Sequence, residues 1–363
     1  MSFLVSLVRM PLISAFSSSG GTMLERNALI LQLAHGGTEA LSECVTEETP
    51  SCTGEDNKTA LRVIRDVLAG PVRPGPPSPQ RFLDAVEGVK GHQMAKAAVE
   101  MLLWDYRAKV DGVPLDEALG GSRGYADAGI AIGLGREGDV RARVGAALER
   151  GYKRIKVKID REGAFKTLAA VRDAFPEIPL SADANACFEL PRDIAALRRI
   201  DRFELQYLEQ PLGYDDLPDH SRLAKEISTP ICLDESVTTL ERAREALETG
   251  AAKVINIKPG RVGGLKVSME IARLARAMGA HVWVGGMLET GVGRAFNVAL
   301  ASQREVDYPG DTSPNDRYFE RDLAKNPFKM RGGRVRPNGG RGIGVELDRD
   351  LLASVTLKSW KVF

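Results

Sequence analysis

The sequence has few cysteines, no surplus of either charge and no long apolar segment, and each shortage excludes a class of protein. Its four cysteines, Cys44, Cys52, Cys187 and Cys232, lie too far apart for a CxxC metal site and are too few for a disulfide framework. The 50 basic and 49 acidic residues leave a net charge of +1, which gives no basic surface for nucleic acid or a membrane. The apolar segment 1–16 has no basic leader, so we interpret it as a first strand rather than a signal peptide. These features predict a protein of the reducing cytoplasm without a membrane span.

The first hundred or so residues predict a small α+β domain. Apolar runs at 3–8, 28–33 and 40–45 are separated by turns that contain Gly and Ser, a pattern that favours an antiparallel meander. Residues 58–69 have helical periodicity, and residues 93–109 form a long amphipathic helix. The meander and the helices together make one packed unit.

From about residue 125 the pattern becomes regular, because short apolar runs alternate with charged amphipathic segments. The predicted strands lie at 128–133, 154–159, 180–185, 205–211, 231–236, 254–260 and 281–286. A repeat of about 25 residues, enough for one strand and one helix, favours a (β/α) barrel, since parallel strands need a helical crossover. A doubly wound open sheet is the alternative, but no GxGxxG follows the first strand.

Polar and ionisable residues end five successive strands of this predicted barrel, where a structural barrel would carry apolar or turn residues. They are, in chain order, Lys156, Lys158, Asp183, Asn185, Glu209, Asp234 and Lys258. In such barrels the active site forms at the C-terminal ends of the strands. Lys156 and Lys158 are two residues apart, so both point to the same face of their strand.

Three carboxylates at one buried barrel mouth would repel one another unless a cation lay between them. Oxygen ligands without His or Cys favour Mg²⁺, with Mn²⁺ as the alternative. Such a metal can bind a substrate carboxylate and stabilise the enediolate that forms when the neighbouring carbon loses a proton. Desolvation and the charge of Lys158 should lower the pKa of Lys156, as a lysine base requires.

At these residues the sequence resembles the enolase superfamily, and within it the muconate lactonizing branch. Four segments resemble more specifically the o-succinylbenzoate synthase / N-succinylamino acid racemase family: NIKPGRVGG at 256–264, GGMLETGVGR at 285–294, PGDTS at 309–313 and RYF at 317–319. The segment GHQMAKAA at 91–98 agrees with this resemblance. The match covers almost the whole chain.

The resemblance implies an α/β fold, a modified TIM barrel (β/α)7β with an α+β capping domain. Residues 1–122 would form the N-terminal capping domain, 123–322 the catalytic barrel, and 323–363 a C-terminal segment that returns to the cap. Members of this family often form even-numbered homo-oligomers, so a homo-oligomer is expected.

The resemblance also implies a role for each site residue. Lys158 would act as base and later as acid, and Lys258 would act on the opposite face of the substrate. Asp183, Glu209 and Asp234 would bind the metal. The supporting or substrate-binding residues would be Lys156, Asn185, Arg261, Gly286, Met287, Glu289, Phe16 and Ser18. Arg261 resembles a residue of members that racemise as well as dehydrate.

The implied activity is o-succinylbenzoate synthase, a syn dehydration of a cyclohexadiene carboxylate in menaquinone biosynthesis, with N-succinylamino acid racemisation by the same two lysines. Muconate cycloisomerase and dipeptide epimerase are alternatives, but residues 286–289 lack the Asp-x-Asp clamp of the epimerases. A sugar-acid dehydratase needs a catalytic His at the C-terminal end of a strand, whereas His281 begins its strand. A non-catalytic protein that binds a metal and a small carboxylate is a further alternative, although it would gain nothing from lysines on both faces of its ligand.

Overall fold

The computed structural model describes residues 1–18, 21–50 and 53–363, without the side chains of residues 17 and 18. An antiparallel sheet, four α-helices and one π-helix form the first part of the chain. The strands are β1 (Ser2–Ser18), β2 (Gly21–His35) and β3 (Thr38–Cys44), and the helices are α1 (Asn57–Val63), a π-helix (Ile64–Leu68), α2 (Pro79–Ala85), α3 (Gln93–Asp111) and α4 (Leu115–Ala118). The meander and both predicted helices are therefore present, although the second half of 58–69 is π-helical.

The long β1–β2 hairpin belongs to two hydrophobic cores. Its strands pair from Ser2 opposite Ala34 to Ser18 opposite Gly21, with an irregularity between Pro11 and Phe16. Phe3 and Val5 pack into a core with the helices that follow β3, whereas Val8 and Met10 pack into the larger core of the rest of the chain. The hairpin thus ties the first part of the chain to the second.

The second part is a seven-stranded parallel sheet wrapped by helices, which confirms the predicted fold class. The strands are β4 (Ala126–Asp127), which lies outside this sheet, then β5 (Gly129–Ile132), β6 (Arg154–Lys158), β7 (Leu180–Asp183), β8 (Leu208–Glu209), β9 (Ile231–Leu233), β10 (Val254–Ile257) and β11 (His281–Val284). The helices are α5 (Glu137–Glu149), α6 (Ala164–Ala174), α7 (Ile194–Asp201), α8 (Leu217–Leu223), α9 (Leu240–Glu248), α10 (Pro259–Val262), α11 (Leu265–Ala277) and α12 (Gly291–Ala301). The sheet order from β5 to β11 follows the chain order, as successive β–α units require.

Residues 308–311 lie between the two edges of the parallel sheet and close the barrel. The backbone N–H of Gly129 in β5 donates to the carbonyl of Gly310 at 2.7 Å. On the other side, the N–H of Asp311 donates to the carbonyl of Val284 in β11 at 2.9 Å. An added Cβ at Gly310 would lie 2.6 Å from that carbonyl oxygen, so only glycine fits here.

The last part of the chain returns to the first sheet. It contains a 3-10 turn (Asn315–Arg317), β12 (Met330–Arg331), β13 (Arg334–Val335), α13 (Arg349–Val355) and β14 (Thr356–Lys361). Strand β14 pairs antiparallel with β1, with Leu4 opposite Lys361. The exact domain boundaries at 122 and 322 stay predictions. None of the helices among the described residues is long and apolar enough to cross a membrane.

Two buried glutamates of the cap bind the N-termini of two barrel helices, and we call these contacts the cap–barrel joint. Glu100 of α3 accepts hydrogen bonds from the backbone N–H groups of Leu265 and Lys266 at 2.9 and 3.0 Å, at the start of α11. Glu43 of β3 accepts from the N–H and hydroxyl of Thr290 at 3.0 and 2.7 Å, and from the N–H of Gly293 at 3.0 Å, at the start of α12. The first N–H groups of a helix have no partner inside the helix, so these carboxylates supply the missing acceptors.

Candidate active site

The three predicted carboxylates and three predicted lysines meet at the barrel mouth. Lys156 is buried, and its ammonium group lies 2.6 Å from Oε2 of Glu209 and 3.2 Å from Oδ2 of Asp183. It also lies 3.5 Å from Oδ2 of Asp311 and 4.5 Å from the centre of the Trp283 ring. Lys156 is therefore largely enclosed by its partners, with only 3% of its side chain exposed.

Lys158 lies two residues further along β6, nearer the opening. Its ammonium group donates to Oδ2 of Asp183 and to Oδ1 of Asn185, both at 2.6 Å. The amide group of Asn185 donates in turn to Oε1 of Glu235 at 3.0 Å, which fixes the orientation of the Asn185 side chain. The Lys158 side chain is 10% exposed, against 3% for Lys156, so Lys158 is the more open of the two.

Lys258 follows β10, which three strands separate from β6. Its ammonium group lies 2.8 Å from Oδ2 of Asp234, and the guanidinium of Arg261 pairs with the other oxygen of the same carboxylate. Arg261 is buried in the turn after Lys258, in the short helix α10. The structure thus places one lysine–aspartate pair on each side of the mouth, Lys158 with Asp183 and Lys258 with Asp234.

The expectation of a lowered lysine pKa is wrong for Lys156. Burial alone would lower the pKa of Lys156, but the three carboxylates around it outweigh burial and hold that pKa well above its ordinary value. Burial would also lower the pKa of Lys258, yet the charge of Asp234 raises it. Sequence reasoning weighed the neighbouring lysine and missed these direct ion pairs.

The carboxyl groups at the mouth differ in the protonation state that their surroundings favour. Burial opposes the ionised form of Asp183, but Lys158 and Lys156 hold its pKa well below the ordinary value. Burial and the charge of Asp183 raise the pKa of Glu209 to about 8, despite the ion pair with Lys156. Burial first, and the negative charge of Asp183 second, therefore disfavour the ionised form of Glu209.

This donor set fits a hard divalent cation. Asp183, Glu209 and Asp234 come from three adjacent strands and supply only oxygen, and additional positive charge would relieve the repulsion that raises the pKa of Glu209. Within residues 1–18, 21–50 and 53–363, no three acidic, His or Cys side chains already stand as a ready set of metal ligands. Each predicted ligand contacts a lysine or arginine. The assignment of ligands stays a prediction.

A cavity of about 460 Å³ opens between the cap and the barrel mouth. Its barrel wall contains Lys156, Lys158, Asp183, Asn185, Lys258, Arg261, Gly286, Met287 and Asp311. Its cap wall contains Phe16, the start of β2 and residues 47–49. Of the predicted substrate contacts, Glu289 is not among the lining residues, since it is buried behind Met287, and the side chain of Ser18 lies outside the described part of the chain.

Sequence reasoning missed two charged residues that line this site. Asp311 lines the cavity and pairs with Arg154 at 2.8 Å as well as with Lys156. Glu235 lines the cavity beside Asp234 and holds Asn185. The segment PGDTS contains Asp311, but its Pro and Gly do not resemble a strand, and only the closed barrel shows that it faces the mouth.

His281 has the structural position that the sequence predicts. It lies at the start of β11, the end of the strand away from the mouth, with Nδ1 2.7 Å from Oδ2 of Asp307. Its ring stacks on Tyr308 with centroids 4.4 Å apart. It is therefore not placed as a base at the mouth.

Comparison with known proteins agrees with this geometry. Residues 139–351 match the family described as enolase C-terminal domain-like, and residues 4–120 match the mandelate racemase / muconate lactonizing enzyme N-terminal domain. An N-succinylamino acid racemase of Thermus thermophilus is 41% identical over 353 residues, which cover 97% of this chain and 95% of the relative. An o-succinylbenzoate synthase of Bacillus subtilis is 39% identical over 345 residues, which cover 94% of this chain and 93% of the relative.

Solved structures lead to the same family. A crystal structure of an enolase superfamily member from Listeria innocua superposes with a TM-score of 0.94 at 32% identity, and the match covers 99% of this chain and 98% of that chain. The chain belongs to the enolase superfamily, and within it to the o-succinylbenzoate synthase / N-succinylamino acid racemase family.

Proposed function

We propose that this enzyme is an o-succinylbenzoate synthase, acting in menaquinone biosynthesis, that also racemises N-succinylamino acids. The observation that carries the proposal is the position of two lysines, Lys158 and Lys258, at one cavity on either side of the strands that bear the carboxylates. The names of the relatives at 39% and 41% identity support both activities. Both reactions begin with removal of the proton next to a substrate carboxylate.

Members of the enolase superfamily generally depend on a divalent metal. For this chain we infer Mg²⁺, with Mn²⁺ as the alternative, held by Asp183, Glu209 and Asp234. When bound, the metal would supply the positive charge that stabilises the substrate carboxylate as the neighbouring carbon becomes an anion. Lys156, enclosed by Glu209, Asp183 and Asp311, would hold two of these carboxylates in place.

In dehydration Lys158, as the neutral amine, takes the proton from the substrate carbon, and the ammonium group that forms returns it to the hydroxyl group on the same face. The carbon–oxygen bond then breaks and the hydroxyl leaves as water, so one base is sufficient for a syn elimination. Asp183 and Asn185 hold the Lys158 ammonium group at 2.6 Å each, which fixes its direction. Lys258 supplies a fixed positive charge on the other face.

In racemisation both lysines react, because one removes the proton and the other delivers a proton from behind. Replacing either lysine by alanine should lower the turnover of N-succinylamino acid racemisation roughly 10²- to 10⁴-fold. Exchange of the α proton in deuterated water should survive only for the enantiomer that faces the remaining lysine. If the Lys258→Ala protein exchanged both enantiomers, a single base would serve both faces and the two-base proposal would be wrong.

The function itself is tested by direct assay of the purified protein for dehydration and for racemisation. We expect both activities with Mg²⁺, their loss in excess chelator, and their return when Mg²⁺ is restored. Full activity in excess chelator would contradict the metal proposal, and absence of both activities with Mg²⁺ present would contradict the proposed substrates. The expected homo-oligomer is a separate proposal, tested by light scattering on the eluted protein.

A further inference from the structure

One side of the cavity is a short apolar segment, Gly286, Met287 and Leu288, which we call the pocket wall. It connects β11 to α12, and all three residues line the cavity. Leu288 has φ of 57°, a left-handed conformation that is rare outside glycine. Such a conformation costs roughly 1–3 kcal/mol and persists only where the surrounding structure holds it.

The contacts that hold the pocket wall in this conformation come from a buried ion pair behind it. Oε1 of Glu289 accepts a hydrogen bond from the backbone N–H of Met287 at 2.7 Å. Oε2 of Glu289 lies 3.0 Å from Nη2 of Arg294, and Nη1 of Arg294 donates to the carbonyl of Asp311 at 2.5 Å. The side chains of Glu289 and Arg294 are 4% and 1% exposed, and neither residue lines the cavity.

The ion pair lies directly against the wall. A Cβ added at Gly286 would be 3.1 Å from Nη1 of Arg294 and 3.2 Å from Oε2 of Glu289. On its other side Met287 packs against the core of the cap. The pocket wall is therefore held between the ion pair and the cap. Through Arg294 the ion pair also contacts Asp311, the partner of Lys156.

We propose that Glu289 and Arg294 are positioning residues that hold the pocket wall and thereby set which substrate side chains the enzyme accepts. The proposal rests on the proposed function, and it assigns the wall to the apolar side chain of an N-succinylamino acid. Met287 and Leu288 are apolar residues in a cavity whose other barrel residues are mostly charged. A charged substrate carboxylate belongs near the lysines and arginine, so the apolar side chain belongs at the wall.

The test compares racemisation of N-succinylalanine and N-succinylphenylalanine. In the Glu289→Ala protein we expect the ratio of the two kcat/KM values to change about five- to tenfold, mainly through KM, as loss of one buried hydrogen bond allows. Glu289→Gln keeps an acceptor for the Met287 N–H and should restore most of the original ratio. Glu100→Gln is the matched control, because Glu100 is equally buried at a helix N-terminus but does not line or adjoin the cavity, and it should leave the ratio unchanged.

A second measurement needs no substrate. Hydrogen exchange at the Met287 amide should become faster in Glu289→Ala than in the wild type, and should not change in Glu100→Gln. If Glu289→Ala does not fold, Arg294→Lys takes its place, since lysine keeps the charge but lacks the planar fork that joins Glu289 to Asp311. An unchanged side-chain ratio together with unchanged Met287 exchange would overturn the inference.

The two measurements separate this inference from the proposed function. If the wild type racemises no N-succinylamino acid, the proposed function fails, and exchange at Met287 still decides whether Glu289 holds the wall. If the wild type is active but Glu289→Ala changes neither the ratio of the kcat/KM values nor the hydrogen exchange at Met287, the positioning role alone is wrong.

Discussion

Buried carboxylates have different kinds of partner in two regions of this molecule. At the cap–barrel joint, Glu43 and Glu100 accept hydrogen bonds from backbone N–H groups of barrel helices, and burial raises the pKa of each to about 7. At the mouth, Asp183 and Asp234 face the side chains of lysines and of Arg261, whose charges lower the pKa values of both carboxylates. The backbone donors of the joint cannot leave, whereas lysine partners can move when a substrate or cation arrives.

The comparison shows that burial alone does not identify a functional carboxylate. The partner decides, because a backbone donor makes a carboxylate part of the scaffold and a side-chain cation leaves it free to change partners. Glu209 lies between the two types, since it is buried at the mouth but its pKa is raised to about 8. Substitutions in the two regions should therefore separate activity from stability.

The largest expected effect is on turnover, in Glu209→Gln. Loss of this carboxylate should lower metal affinity and turnover by more than about 100-fold, because a metal ligand contributes at least as much as the outer partners that support one. The unfolding free energy measured in chelator should not fall, since the ionised carboxylate is unfavourable at this position. Glu100→Gln, the control from the joint, should keep turnover within a few-fold of the wild type. Wild-type metal affinity in Glu209→Gln would remove Glu209 from the ligand set.

The next effect is on stability, in Gly264→Ala. An alanine Cβ there would lie 2.3 Å from Oε2 of Glu100, and the backbone has φ of +119°. We expect a loss of about 3–4 kcal/mol in the unfolding free energy, because both strain and displacement of Glu100 contribute. Gly279→Ala is the control, since its φ is +72° but no atom lies near its added Cβ, and it should cost only about 1 kcal/mol. Equal losses in the two variants, measured by denaturant titration, would show that Glu100 does not resist displacement.

The smallest effect is a dependence of stability on pH that Glu100 supplies. The pKa of Glu100 is 4.5 in the unfolded chain and about 7 in the folded protein. Its contribution to the unfolding free energy is therefore complete below pH 4.5 and is lost as the pH rises through 7. Over this pH range the wild type should therefore lose about 3 kcal/mol of unfolding free energy relative to Glu100→Gln, because each tenfold change in an ionisation constant corresponds to about 1.4 kcal/mol. Melting temperatures of both proteins across this range measure the difference. If the melting temperatures of the two proteins changed with pH in parallel, the folded protein would not raise the pKa of Glu100.

The barrel and the residues at its strand ends were predictable because they repeat. A spacing of about 25 residues fixed the strands, and the alternation of side chains along a strand placed Lys156 and Lys158 on one face. The structure confirms the predicted fold class and brings the predicted lysines and carboxylates together, while their roles stay predictions.

The contacts that depend on tertiary structure were not predictable. Glu100 lies in an amphipathic helix, where a single glutamate resembles a solvent-facing residue, and only the packing of α3 against the start of α11 shows its role. Asp311 follows Pro309 and Gly310, which do not resemble a strand. The wrong expectation for the pKa of Lys156 has the same origin, because its partners come from distant parts of the chain.

Strand β6 carries three inward cations, Arg154, Lys156 and Lys158, whose carboxylate partners come from three other segments of the barrel. A shift of β6 by one residue would turn all three charges toward the surrounding helices. Misaligned sheets would thus contain unpaired buried charges, which are far more costly than lost apolar contacts. The residues proposed for chemistry therefore also fix the alignment of the barrel as it folds, so a variant that neutralises this strand would lose a safeguard against misfolding along with its activity.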